Sequence, residues 1–92
     1  MENIELERIR GGPIVKIPKC HYEQIVSLIF STIEKSPGGV ITLDQLIEST
    51  KHSMSFHGDK AWYLLQVKQD LVARRRLRLK VDKHRVQFIR AA

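Results

Sequence analysis

The chain has little of what staples or spans. Its 92 residues contain one cysteine, Cys20, so no disulfide closes within it, and a reduced, cytoplasmic setting is the default expectation. Five glycines and three prolines are too few for a collagen-like or low-complexity chain. No apolar run approaches the roughly 18 residues of a membrane span, and Met1-Glu2-Asn3-Ile4-Glu5 lacks the basic-then-apolar order of a signal peptide. Metal and catalytic patterns are missing too. Cys20-His21, His52, His57 and His84 show no Cys-x-x-Cys and no histidine pair one helical turn apart, and Gly38-Gly39 lacks the Lys-Ser/Thr of a phosphate loop. Cys20 and His21 are neighbours in sequence and so do not face one another as nucleophile and base. No enzyme, cofactor, metal or small-molecule site is expected.

What is present is a basic charge concentrated at one end. Residues 1–59 hold six Lys and Arg against eight Asp and Glu, whereas residues 60–92 hold ten against two. A field of that kind attracts polyanions and weakens with salt. The bland alternative is a solvated basic face that maintains solubility.

Hydrophobic spacing divides the chain into an N-terminal preface, residues 1–18, and a domain, residues 19–92. In the preface, Ile4, Leu6 and Ile9 precede Gly11-Gly12-Pro13, and Ile14, Val15 and Ile17 follow, which predicts two short strands around a turn or an extended arm. Too short to stand alone, it must pack on the domain or on a second chain, and residues 1–19 are the candidate arm of a homodimer. Pro18 opens a first helix whose face is Tyr22, Ile25, Val26, Ile29 and Ile33, and Ser36-Pro37-Gly38-Gly39 stops it. Val40-Ile41 is an edge strand. Thr42 and Gln45 form a capping box for a second helix ending near residues 50–52, with Leu43, Leu46 and Ile47 inward. A loop, residues 53–58, is plugged by Met54 and Phe56. A third helix runs from Gly58 or Asp59 to Arg74 with Asp59 as N-cap. The period then drops to two. Leu77, Leu79 and Val81 alternate with Arg78 and Lys80, Asp82-Lys83-His84 turns, and Val86 and Phe88 alternate with Arg85 and Gln87. This predicts a hairpin with one apolar and one basic face.

The expected class is therefore α+β, mainly α with a small hairpin. The edge strand before Thr42, the third helix ending in a basic run and the hairpin directly after it resemble the winged-helix variant of the helix-turn-helix class over about residues 19–90. The tract Trp62-Tyr63-Leu64-Leu65-Gln66-Val67-Lys68-Gln69-Asp70-Leu71-Val72-Ala73-Arg74 also looks like small, uncharacterised bacterial winged-helix proteins. The resemblance implies that helix 58–74 enters a major groove and that residues 77–90 are the wing, although the loop before that helix is longer than in a strict helix-turn-helix. It points to double-stranded DNA as partner and transcription regulation as role. The rival is a protein–protein adaptor on the same fold.

On the outer side of helix 58–74, Gln66 and Gln69 offer donor and acceptor to an adenine edge. Trp62 shares that side and is read as packing on a neighbouring segment such as the preface. Arg74, Arg75 and Arg76 exceed what the helix dipole explains. At least two of them are expected on phosphates, together with Arg78, Lys80, Lys83 and Arg85 from the wing. Lys68 falls among Leu64, Leu65, Leu71 and Val72, so its stem should line the core, with its ammonium reaching out or paired to Glu34 or Glu48.

Overall fold

The computed structural model describes residues 2–7, 14–53 and 59–92. The expected Gly11-Gly12-Pro13 turn, the Met54 and Phe56 plug and His57 lie outside these residues. Eight elements follow in order: β1 (Asn3–Glu5), β2 (Lys16–Pro18), α1 (Lys19–Lys35), β3 (Val40–Thr42), α2 (Leu43–Ser53), α3 (Lys60–Ala73), β4 (Leu77–Val81) and β5 (Gln87–Ala91). The class is α+β, as expected, and among the described residues no helix is long and apolar enough to cross a membrane.

Local chemistry sets the boundaries. A short 3-10 turn, Pro37–Gly39, ends α1, and Gly38 there has φ 71°, a left-handed backbone that a side chain would strain. The capping box forms reciprocally: the Thr42 N–H donates to Gln45 Oε1 at 2.9 Å and the Gln45 N–H to Thr42 Oγ1 at 3.2 Å. Asp59 caps α3 by accepting the Trp62 N–H at 3.0 Å.

The N-terminal residues fold back on their own domain. β1 and β2 pair antiparallel, and Leu6 and Ile17 join the same buried cluster as Ile25, Ile29, Leu46, Leu64, Leu71 and Ile89. A fully buried carboxylate on α3 fastens them. Asp70 Oδ2 accepts the Tyr22 hydroxyl from α1 at 2.6 Å, while Oδ1 accepts the Glu7 N–H at 2.7 Å and Arg74 Nε at 2.9 Å.

The second sheet has the order β3-β5-β4, so β5 is its central strand, antiparallel to both neighbours. Its inner face bears Ile41, Ile89, Leu77 and Leu79 against the helices. Here the expected phase of the last strand is reversed. Ile89, not Phe88, is the buried residue, so Phe88 lies on the outer face opposite Lys80, and Gln87 lies inward opposite Val81. The cause is a competition: Phe88 and Ile89 are adjacent and both apolar, and only one can face the core. The inward Gln87 has a partner. Lys68, buried on α3, donates from Nζ to Gln87 Oε1 at 2.6 Å, in place of the expected Glu34 or Glu48.

Candidate nucleic-acid interface

The chain leaves α3 through a Schellman turn. The Arg76 N–H donates to Leu71 O at 2.8 Å and the Arg75 N–H to Val72 O at 3.0 Å. This geometry needs a left-handed residue, usually glycine, at the position of Arg75, and Arg75 has φ 62°. The wing tip repeats the situation. The Arg85 N–H donates to Asp82 O at 3.0 Å, the Asp82 N–H donates to Val86 O at 3.1 Å, and Arg85 between them has φ 64°. Asp82 Oδ1 secures this tip by accepting the N–H groups of His84 and Val86, each at 2.9 Å. These are the two non-glycine residues with positive φ among the described residues, and both are exposed arginines.

The three consecutive arginines have separate fates. Arg74 is tied inward. Its Nε bonds Asp70 and its Nη2 donates to Glu5 O at 3.3 Å, and the bond to Asp70 raises its pKa further above the ordinary arginine value. Arg76 lies over the Phe30 ring of α1, its Cζ 4.9 Å from the centroid. Arg75 projects into solvent. Along the hairpin, Arg78, Lys80, Lys83 and Arg85 are all exposed. Among the described residues, none of Arg75, Arg76, Arg78, Lys80, Lys83 or Arg85 lies within 4.0 Å of a carboxylate oxygen.

The helix supplies the other part of the site. Gln69 is exposed, whereas Gln66 is half-buried with an interaction inside the protein. Trp62 is 43 % exposed and meets the ring of its neighbour Tyr63 edge-on, with centroids 5.3 Å apart. Tyr63 in turn meets His21 of α1 edge-on at 5.7 Å. Of the described N-terminal residues, Glu7 reaches α3 at Asp70, while Trp62 and Gln69 are exposed.

Lys68 ties α3 to the hairpin at the rung next to its tip, and burial pushes its pKa below the usual lysine value. Tyr22 is pushed up to about 12, first by burial, then by its bond to Asp70 and the charge of that carboxylate. Three features of the site were not anticipated: the Asp70 cluster, the Lys68–Gln87 bond, and Arg90. Arg90 becomes visible only with the sheet register, which sets it opposite Arg78. No group of three or more potential metal ligands gathers among the described residues.

Neither the curated proteins nor the solved structures yield a match to this chain. A family model does, over residues 3–88, which takes in the N-terminal ribbon, all three helices and most of the hairpin. The chain belongs to DUF6958, a family of unknown function.

Proposed function

We propose that this chain is a small DNA-binding protein of the winged-helix type, acting as a transcriptional regulator. In this reading α3 enters the major groove and the hairpin that ends at Arg85 rests on the phosphate backbone. Element order and the β3-β5-β4 sheet order support the winged-helix assignment. The observation that carries the function is the pair Arg75 and Arg85. Each occupies a left-handed position where glycine relieves steric cost, and each keeps a long cationic side chain there, in solvent, with no carboxylate oxygen within 4.0 Å among the described residues. Local strain held at two points of one basic region marks a surface shaped for an anionic partner.

The contacts divide by task. Arg75, Arg76, Lys83 and Arg85 position the protein on phosphates, as do Arg78 and Lys80 where the strand runs along the backbone. Gln69 is the leading base reader, with Gln66 beside it. A homodimer through the N-terminal ribbon would present two such helices to a two-fold operator.

A gel-shift series with random-sequence duplex at low and moderate salt tests the reading. Affinity is expected to fall steeply with salt, by a slope of about 0.9 for each phosphate neutralised. Lys83→Ala should weaken all sequences alike and reduce the slope, and Gln69→Ala should alter sequence preference at nearly constant slope. Absence of any shift at low salt defeats the proposal and leaves the protein–protein adaptor.

A further inference from the structure

The outer face of the second sheet holds a hollow of about 570 Å³, lined by Val40, Arg78, Leu79, Lys80, Asp82, Phe88 and Arg90. Its volume lies in the range of about 300–1,000 Å³ common to small-molecule sites. Strand register builds it. Val40, Arg90 and Arg78 stand side by side on one rung, and Thr42, Phe88 and Lys80 on the next. Phe88 and Val40 are half-buried and form an apolar floor, while the three cations stand exposed around it.

The hollow sets three cations against one acid. Arg78 and Arg90 face one another directly across antiparallel strands, a like-charge pairing that weakens a sheet. Among the described residues no carboxylate oxygen lies within 4.0 Å of either arginine or of Lys80. The one acid in the lining, Asp82, already uses Oδ1 for the two N–H groups of the wing tip.

We propose that this hollow binds a small organic anion: a flat apolar body resting on Phe88 and Val40, with one anionic head held between Arg78 and Arg90. Two guanidiniums on adjacent strands offer the forked donors that phosphate and carboxylate oxygens accept. A nucleic-acid strand fits less well, because a stacking track needs successive aromatics, and Phe88 is the one aromatic residue on the two rungs. The site goes beyond the DNA-binding reading and does not depend on it: it shares Arg78 and Lys80 with the proposed duplex surface, but Phe88 and Arg90 carry no contact in that reading.

The test is a titration of the full chain with naphthyl phosphate, followed by amide chemical shifts. Naphthol and inorganic phosphate supply the two halves of the probe, and a single-stranded oligonucleotide is the third comparison. Saturable binding is expected, with shifts centred on Val40, Phe88 and Arg90, and each half-probe should bind about tenfold more weakly or worse. Arg90→Gln should cost about tenfold in affinity while melting at or above the parent temperature, because the repulsion with Arg78 is gone. Lys51→Gln, on α2 and outside the hollow, should leave this affinity unchanged. The proposal is overturned by no saturable binding, by undiminished affinity in Arg90→Gln, by shifts centred on α3, or by an oligonucleotide that binds the same residues more tightly than naphthyl phosphate.

Discussion

Replacing Arg75 by glycine should move stability and DNA affinity in opposite directions. The left-handed backbone at φ 62° costs a residue with a Cβ about 1–2 kcal/mol. Glycine removes that cost and returns about 0.5–1 kcal/mol of it through the greater freedom of the unfolded chain. The two Schellman bonds are made by backbone atoms, so they survive the change. The net expectation is a gain of about 0.5–1 kcal/mol, or about 3–6 °C in melting temperature for a domain of this size. Duplex affinity should fall at the same time, and the salt slope should shrink by about one unit. Arg75→Lys is the control, since it keeps both strain and charge and should leave both quantities near the parent. Thermal melting and a salt-dependent gel shift measure the two effects independently. A variant that melts at or below the parent temperature refutes the backbone argument. An unchanged salt slope refutes the phosphate contact.

Three further outcomes are expected. Asp70→Ala strands the buried Tyr22 hydroxyl and unfastens Glu7, and should cost about 3–4 kcal/mol by urea denaturation; a loss below about 1 kcal/mol would mean that the carboxylate merely fills space. In Tyr63→Phe, which leaves Tyr22 as the lone tyrosine, ultraviolet titration should give a midpoint near 12. The folded state then holds that proton longer than the unfolded state, so the Tyr22 contribution is whole below pH 10 and is lost as pH rises toward 12; a midpoint near 10 contradicts this. Lys68 has the opposite sign. Its folded pKa is depressed, the unfolded chain binds the extra proton, and stability rises as pH climbs from the folded value toward 10.5. Lys68→Met should abolish that rise and match or exceed the parent's stability at neutral pH, because a buried ammonium facing a neutral amide recovers little of its desolvation; clear destabilisation would show that the bond to Gln87 is worth more than its burial costs.

Much of the architecture was legible because it depends on neighbours in sequence. Thr42 and Gln45 satisfy one another three residues apart, Asp59 reaches its own helix start, and the stripe from Tyr22 to Ile33 needs only the helical period. The readings that changed involve partners brought in by folding. Asp70 carries no local signal of its role, because α1 and the N-terminal segment deliver its donors from 48 and 63 residues away. Lys68 was rightly placed on the apolar side, but its partner followed from the phase of β5, and alternation alone could not rank Phe88 against Ile89. For the candidate site, the basic wing could be read directly from composition. The left-handed Arg75 and Arg85 could not, because arginine is not a residue that announces positive φ.

The central place of β5 has a consequence for the order of folding. Val40–Thr42 and Leu77–Val81 do not touch one another as strands; both are joined through Gln87–Ala91. Until that strand docks there is no second sheet, and the helices lack the Ile89 side chain that seals the core. β4 meets β5 across a short turn, but β3 reaches it only over the whole length of α2 and α3, so closure rests on a contact distant in sequence.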